Sequence, residues 1–148
     1  MGQTVAGRFV TDVRVRWSDL DAFGHVNNAR TITLLEEARV DWLFVEATDR
    51  GVDRLTEGIV VSQLEIKYRR PIPFGAQVTV SMGVLKLGGA AFTIDYLVTV
   101  DGTLSATAST VLVPVNSDTF RPRRLDQGER EFLTDYLSTV DQSTGNGG

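Results

Sequence analysis

The segment Asp19-Leu20-Asp21-Ala22-Phe23-Gly24-His25-Val26-Asn27-Asn28 separates two parts of the chain that have different hydrophobic periods. Before it, Val13, Val15 and Trp17 alternate with arginines, which predicts a first strand with one buried face. After it, from about 27 to 47, apolar residues recur at steps of three and four, which predicts a helix of about 20 residues, roughly 30 Å long. The segment contains turn formers without apolar periodicity, so it is predicted to be the loop that enters this helix.

Four further strands are predicted after the helix, because apolar and polar residues alternate in four more segments. Two prolines end the first of these strands, and Asp101-Gly102 favours a tight turn between the last two. The four segments lie at about 60–68, 78–87, 92–100 and 104–115. A polar loop then leads to a short amphipathic helix at about 126–137, and the tail from about residue 141 is predicted to be disordered.

This order of elements predicts one α+β domain over residues 1–148, with its core at about 10–116. Five strands form an antiparallel sheet that curls around one long central helix, and a short helix follows at the C-terminus. Such a sheet leaves an unpaired edge, which is commonly covered by a second copy of the chain. We therefore expect a dimer.

Composition argues against several classes of function. The chain has no cysteine and only one histidine, His25, so neither a thiolate zinc site nor a multi-histidine metal centre is expected. A formal net charge of −4 provides no general electrostatic reason to bind nucleic acid. No stretch approaches the roughly 20 apolar residues of a membrane span, and no leader pattern is visible. The expectation is a cytoplasmic protein that binds neither membrane nor nucleic acid.

Asp21 and the start of the predicted helix can act on one carbonyl group. The first amides of a helix lack internal acceptors and, together with the helix dipole, stabilise a developing oxyanion. If Gly24 turns the chain back, the Asp21 carboxylate reaches the same point, where it either activates water or attacks directly. The same residue types also occur as ordinary helix caps and loop residues. On spacing alone, an ordinary helix entry remains the alternative.

The stretch from Val15 to Ala29, with Leu35-Glu36-Glu37-Ala38-Arg39, resembles the signature of the 4-hydroxybenzoyl-CoA thioesterase-like family of hotdog-fold acyl-CoA thioesterases. Tyr68-Arg69-Arg70-Pro71-Ile72 is similar to the end of that family's second strand, and the similarity covers about Val13 to Val115. The resemblance implies a hotdog fold in a homodimer or homotetramer, with active sites between subunits. It also implies hydrolysis of an acyl-CoA, or less readily of an acyl carrier protein thioester. Coenzyme A is then part of the substrate, and no cofactor is expected.

The resemblance assigns roles to individual residues. The second acid of the D-x-D-x-x-G motif is the catalytic carboxylate and falls on Asp21, as nucleophile or general base. The backbone N–H that polarises the thioester carbonyl falls on Asn28, and Gly24 provides the loop geometry. Asp19 is expected to shape the loop. Thr31 stands where many family members have an aromatic residue, usually tyrosine, which affects the expected size and polarity of the acyl pocket.

Three nearby residues have two interpretations each. His25 and Asn27 are assigned to the substrate site, where His25 could shuttle a proton and Asn27 could orient Asp21 or water. His25 also fits the structural turn of the family, and Asn27 also fits a helix cap. Glu36 is the second choice for the catalytic carboxylate, because another branch of hotdog thioesterases has its glutamate inside the helix. Its alternative is an ion pair with Arg39 one turn later.

Coenzyme A carries phosphates, so arginines are expected at the mouth of the pocket. Arg69 and Arg70 are the substrate-binding candidates, and Arg121, Arg123 and Arg124 follow the last strand. Two other functions remain open. One is a non-catalytic protein of this fold that binds acyl-CoA or another acyl ligand. The other is a hotdog dehydratase, although its Asp-and-His arrangement is not visible in the sequence.

Overall fold

The computed structural model describes residues 2–138. The strands are β1 (Gln3–Val5), β2 (Arg8–Val13), β3 (Ile59–Tyr68), β4 (Val78–Leu87), β5 (Phe92–Val100) and β6 (Thr103–Pro114). The helices are α1 (Asn28–Val40), which continues through a π-helical segment (Asp41–Glu46) into a last turn, α2 (Ala47–Asp49), and α3 (Gln127–Thr134). Short 3₁₀ helices occupy Trp17–Asp19 and Arg54–Glu57.

The strands form one antiparallel sheet in the order β1-β2-β4-β5-β6-β3. The long helix lies against one face of this sheet, and the core forms between them. Its largest buried side chains include Leu34 and Leu35 of α1, Trp42 after it, and Met82 and Ile94 of the sheet. The predicted α+β architecture, an antiparallel sheet around one long central helix, is confirmed. The sheet has six strands within the described residues, whereas five were predicted.

The prediction for the first strand was wrong. Strand β2 ends at Val13, and the chain turns instead of continuing to Trp17, because the Asp19 N–H donates to the Arg16 carbonyl at 2.9 Å. Trp17 is 77% exposed and lies outside the sheet. The buried positions in β2 are Phe9 and Thr11, which are 1% and 3% exposed.

The additional strand β1 forms a hairpin with β2. Val5 pairs with Arg8, so only Ala6 and Gly7 form the turn, and both have positive φ, +52° and +77°. Two consecutive positive φ angles are typical of the type I′ turn, whose twist matches that of the strands. Alanine is an unusual residue for this conformation, which explains why no turn was predicted here.

The helix is interrupted only by its π-helical segment. Trp42 and Leu43 are consecutive in that segment, and both are fully buried. Trp42 stacks on Phe9 with a centroid distance of 6.3 Å and meets Tyr136 edge-on at 5.0 Å. The segment therefore joins β2 and the C-terminal region through one aromatic cluster.

The C-terminal helix is shorter than predicted, since α3 covers Gln127–Thr134 and not 126–137. The residues after it return to the sheet: the Val84 N–H donates to the Tyr136 carbonyl and the Ser138 N–H to the Val84 carbonyl, each at 2.9 Å. The predicted disordered tail lies outside the described residues. No helix within residues 2–138 is long and apolar enough to cross a membrane.

Candidate active site

The loop before α1 is a tight turn closed by backbone hydrogen bonds. The Asp21 N–H donates to the His25 carbonyl at 2.8 Å, and the Gly24 N–H donates to the Asp21 carbonyl at 3.2 Å. Gly24 has a φ of +79°, a left-handed conformation that glycine adopts without steric cost. Leu20 and Val26 pair across the base of the turn. The chain therefore folds back at Gly24 immediately before the helix.

The Asp21 carboxylate is exposed at the base of this turn. Its Oδ1 atom accepts the Phe23 N–H at 2.8 Å and the His25 N–H at 3.2 Å. Its Oδ2 atom forms no hydrogen bond within residues 2–138. One oxygen thus fixes the side chain, while the other is available to a water molecule or a substrate.

Two other polar residues hold the loop against the helix. Asp19 is 2% exposed, and its carboxylate accepts the Arg16 N–H at 2.8 Å. Its carbonyl accepts the Asn27 N–H, also at 2.8 Å. Asn27 is the N-cap of α1, because its side-chain oxygen accepts the Ala29 N–H at 2.8 Å. In this structure Asp19 shapes the loop and Asn27 caps the helix.

Three of the first four helix amides are satisfied by Asn27. Its side chain takes the Ala29 N–H, and its carbonyl takes the N–H groups of Arg30 at 2.8 Å and Thr31 at 3.1 Å. The Asn28 N–H has no acceptor within residues 2–138. No acidic residue lies in the first turn of α1. An unpaired amide at the positive end of the helix dipole is a donor for a polarised or anionic oxygen.

A cavity of about 250 Å³ lies beside this amide. Asn28 and Thr31 line it from the helix, 68–72 line it from the end of β3, and Val26 and 105–106 complete it. Thr31 is 2% exposed, and its hydroxyl forms no hydrogen bond within the described residues. The cavity therefore brings the start of α1 together with the arginine-bearing end of a strand.

The wall at the end of β3 is fixed by Ser105. The N–H groups of Arg69 and Arg70 both donate to the Ser105 carbonyl, at 2.8 and 3.0 Å, and the Ser105 hydroxyl donates to the Arg70 carbonyl at 2.7 Å. The side chains of Arg69 and Arg70 are exposed and form no ion pair within residues 2–138. Both guanidinium groups are therefore free to meet an anionic ligand.

Tyr68 connects the two walls of the cavity. Its hydroxyl donates to the Asn28 carbonyl at 2.6 Å. Partial burial raises the pKa of the Tyr68 hydroxyl, so it stays protonated and remains a donor at neutral pH. A backbone bond from the Val26 N–H to the Ile72 carbonyl, at 2.8 Å, connects the same two parts of the chain.

Residues 15–133 match the family model described as the thioesterase-like superfamily. The chain belongs to this superfamily. The long-chain acyl-CoA thioesterase FadM of Escherichia coli is 30% identical over 125 residues, which cover 83% of this chain and 95% of FadM. A thioesterase of Thermus thermophilus, solved with coenzyme A and Zn, is 35% identical with a TM-score of 0.72, covering 84% of this chain and 90% of that one. The DHNA-CoA thioesterase of Staphylococcus aureus is 26% identical with a TM-score of 0.70, covering 94% of both chains.

These similarities confirm the predicted hotdog fold and the thioesterase superfamily. In this superfamily member, four predicted site residues line the cavity: Asn28, Thr31, Arg69 and Arg70. Four others lie in the loop immediately before it and do not line it: Asp21, Gly24, His25 and Asn27. The predicted carboxylate of Asp21 therefore lies in the loop, and the predicted amide of Asn28 lies at the start of the adjoining helix. Asn28 lines the cavity, and Asp21 does not.

His25 contributes to the turn of this thioesterase-like chain through its backbone. Its N–H and carbonyl both bond to Asp21, and it pairs with Pro73 at the end of the cavity wall. The His25 side chain forms no hydrogen bond within the described residues. Within residues 2–138, no three side chains of the His, Cys, Asp and Glu types lie close enough together to hold a metal ion.

Glu36 lies apart from the cavity. It is exposed on α1 and does not line the pocket. The alternative ion pair between Glu36 and Arg39 is not formed within the described part of the chain, since Arg39 donates to the Tyr96 hydroxyl at 3.0 Å. The neighbouring Glu37 forms an ion pair with Arg16 at 2.8 Å.

The arginines after β6 also lie away from the cavity. Arg123 donates two hydrogen bonds of 2.8 Å to the fully buried carboxylate of Glu129, and this interaction raises the pKa of Arg123. Arg123 is therefore committed to a structural ion pair. Arg121 and Arg124 do not line the cavity.

Sequence reasoning did not assign Tyr68 and Ser105 to the site of this thioesterase-like protein. The contact of Tyr68 is with a residue 40 positions earlier, and no local pattern reveals a contact of that range. Ser105 acts through its carbonyl and hydroxyl on a strand end that lies far away in the sequence. The sequence signal for this wall was Pro71, because proline cannot donate a hydrogen bond to a neighbouring strand and so marks where β3 ends.

Proposed function

We propose that this protein is an acyl-CoA thioesterase of the 4-hydroxybenzoyl-CoA thioesterase-like family, which hydrolyses an acyl-CoA to the free acid and coenzyme A. The observation that carries this proposal is the Asn28 N–H, which has no acceptor within residues 2–138 and lies at the positive end of α1, beside a cavity lined by two arginines without an ion pair in the same part of the chain. The acyl-CoA thioesterases among the relatives support the same chemistry. Their names include long-chain and DHNA-CoA substrates, so the acyl group is a matter for experiment.

In the proposed reaction, the thioester carbonyl oxygen accepts a hydrogen bond from the Asn28 N–H. As the tetrahedral intermediate forms, this oxygen becomes negative, and both the hydrogen bond and the helix dipole stabilise it more strongly. The amide is already fixed by the capped helix, so it needs little reorganisation during the reaction. A single oxyanion donor of this type contributes roughly 100- to 1000-fold to kcat.

Asp21 supplies the carboxylate through its free Oδ2 atom. As a general base, it removes a proton from water while the water oxygen attacks the carbonyl carbon, and the intermediate collapses as the C–S bond breaks and the thiolate is protonated. As a nucleophile, the carboxylate attacks the carbon and releases the thiolate, and water then hydrolyses the mixed anhydride. Asp21 does not line the cavity, so the thioester is placed at the rim, between Asp21 and the Asn28 amide.

Arg69 and Arg70 are proposed to bind the phosphates of coenzyme A. Guanidinium groups form strong, charge-assisted hydrogen bonds to phosphate oxygens, and these two have no competing carboxylate within residues 2–138. Replacing both with alanine should raise KM for an acyl-CoA and leave KM for the matching acyl-pantetheine, which lacks the nucleotide, unchanged. Equal KM changes for the two substrates would contradict this role. An acyl carrier protein substrate can be compared in the same assay.

The proposal includes a homodimer, or a homotetramer built from it. Strand β3 is at the edge of the sheet, and its apolar side chains are uncovered, with Val61 44%, Leu64 37% and Tyr68 42% exposed. Ligand pockets usually measure roughly 300–1,000 Å³, so the cavity of a single chain is small. A second copy that pairs along β3 would cover this edge and add a wall to the site. Sedimentation of the purified protein tests this, and a monomer at assay concentration would contradict it.

The experiment that tests the function is thiol release from short-chain, long-chain and aromatic acyl-CoAs. The protein contains no cysteine, so a thiol reagent detects only released coenzyme A. We expect turnover by the wild-type protein and a loss of roughly 100- to 10,000-fold in Asp21→Asn. Asp118→Asn, which changes an exposed carboxylate far along the chain, is the matched control and should keep the wild-type rate. An Asp21→Asn variant as fast as wild type would refute the proposed role of Asp21.

A second candidate function is the binding of acyl-CoA without turnover. It is favoured by one observation, that the Asp21 side chain hydrogen-bonds to its own loop and does not line the cavity. Saturable acyl-CoA binding without thiol release from any substrate of the panel would support this function over hydrolysis.

A further inference from the structure

We infer that Tyr68 is a positioning residue for this reaction, because its hydroxyl holds the start of α1 at a fixed distance from the end of β3 and so fixes the Asn28 N–H at the cavity. This inference rests on the proposed function, since the group that Tyr68 positions is the amide assigned to the thioester oxygen. Tyr68 itself is not expected to contact the reacting atoms.

The bond from Tyr68 acts on one of the two peptide groups that flank Asn28. The peptide group before Asn28 carries the unpaired N–H, and its carbonyl, on Asn27, accepts two helix amides. The peptide group after it has its carbonyl bonded to the Tyr68 hydroxyl at 2.6 Å and its N–H bonded to the Asn27 side chain at 2.8 Å. The Asn28 backbone is therefore held from the helix on one side and from the sheet on the other.

Tyr68 is itself well anchored. It is the last residue of β3 and pairs with Ala106 of β6, and the next two residues donate to the Ser105 carbonyl. A movement of the helix start therefore has to stretch a bond to a rigid part of the sheet. The hydrogen bond from the Val26 N–H to the Ile72 carbonyl also crosses the cavity, but it is formed by backbone atoms alone. Among residues 2–138, Tyr68 therefore offers a side chain whose substitution can loosen the site.

The role in positioning differs from a role in stability. Loss of the Tyr68 hydroxyl removes a single hydrogen bond and leaves the ring in place, so its net cost to the stability of the folded protein is small. Catalysis is more demanding, because a small misplacement of an oxyanion donor weakens its bond in the transition state more than in the ground state. Loss of the hydroxyl should therefore lower kcat and leave substrate binding and the melting temperature nearly unchanged.

The test is Tyr68→Phe, which removes the hydroxyl and keeps the ring. The matched control is Tyr136→Phe, since the Tyr136 hydroxyl bonds to Thr4 at 2.8 Å, away from the cavity. For Tyr68→Phe we expect kcat for the best acyl-CoA to fall roughly three- to tenfold, the equivalent of one hydrogen bond, with KM within about twofold of wild type. Tyr136→Phe should keep the wild-type kcat. Thermal unfolding of both variants shows that they are folded.

The possible outcomes separate this inference from the proposed function. Turnover by wild type with an unchanged kcat in Tyr68→Phe would overturn the inference alone. An equal fall in kcat in Tyr136→Phe would also overturn it. So would a fall in kcat in Tyr68→Phe that comes with a clear loss of melting temperature, because either result would show a structural role. A wild-type protein that releases no thiol from any acyl-CoA would overturn both.

Discussion

The helices α1 and α3 differ in the charge of the residues that cap their N-termini. At the start of α3, Asp126 accepts the Glu129 N–H at 2.7 Å, and Glu129 accepts the Asp126 N–H at 2.8 Å, a closed capping box. Glu129 is fully buried and is neutralised by Arg123. The first amides of both helices, Asn28 of α1 and Gln127 of α3, have no acceptor within the described residues, but the cap of α1 is the uncharged Asn27 and no acidic residue lies in its first turn.

This difference distinguishes a helix start that stabilises the fold from one that is open to a ligand. A carboxylate at a helix N-terminus satisfies orphan amides and adds about 0.3–1 kcal/mol through the helix dipole. The same carboxylate would repel a developing oxyanion. With a neutral cap and no acidic residue in its first turn, α1 lacks that stabilisation, and no carboxylate there repels an anionic oxygen at its first amide. Three substitutions test whether the contrast has this meaning.

The largest effect is expected where the closed start of α3 is broken. Glu129→Ala leaves the Arg123 guanidinium without its main partner in a mostly buried position, which should cost about 3–5 kcal/mol in the free energy of unfolding. The folded variant should keep the wild-type kcat, because α3 does not line the cavity. Denaturant unfolding measures the first quantity and thiol release the second. Glu131→Ala on the same helix is the exposed control, expected within about 0.5 kcal/mol of wild type. A loss below about 1 kcal/mol in Glu129→Ala would show that the pair behaves as a surface ion pair.

The next effect is expected where the open start of α1 loses its amide. Asn28 is the first residue of the helix, a position that tolerates proline, and the preceding Asn27 has a ψ of 139°, which suits a residue before proline. Asn28→Pro should therefore keep the fold and lower kcat roughly 100- to 1000-fold. Gln127→Pro makes the same change at the first position of α3 and should leave kcat unchanged. Equal kcat values for Asn28→Pro and Gln127→Pro would show that the difference between the two helix starts has no role in catalysis.

A smaller effect is expected where α1 is given an acidic cap like that of α3. Asn27→Asp still caps the helix and should raise the free energy of unfolding by up to about 1 kcal/mol. Its new negative charge lies next to the Asn28 amide, so kcat should fall about tenfold through repulsion of the oxyanion. Stability and rate should therefore change in opposite directions. A variant that gains both stability and rate would contradict the idea that the neutral cap serves the site.

Much of the fold was predictable because it depends on the hydrophobic periodicity of its strands and helices. The strands β3 to β6 were predicted to within about one residue of their ends, since alternation and turn residues are local signals. The N-terminal region was not, because Val15 and Trp17 alternate with arginines as a strand would and yet lie outside the sheet. Periodicity cannot show that a strand has already ended. The hairpin of β1 also depends on an alanine with positive φ, which has no sequence signal.

The site was predictable in part. Helix physics indicated that the first amides of the helix are free, and the family resemblance, not spacing, selected Asn28 among them and Asp21 from the two acids of the loop. The contacts that form the cavity could not be predicted, because they join residues about 40 positions apart, as between Tyr68 and Asn28. The cavity wall around Ser105 depends in the same way on the pairing of β3 with β6.

The most direct test of the account is whether the Asn28 amide binds the substrate carbonyl. An acyl-CoA analogue in which CH₂ replaces the thioester sulfur keeps the carbonyl and resists hydrolysis, and it can be titrated into ¹⁵N-labelled wild-type protein. We expect the Asn28 amide proton to move downfield as the analogue saturates the site, while the Gln127 amide, at the same position of α3, does not move. Saturable binding of the analogue with an unmoved Asn28 amide would contradict the account.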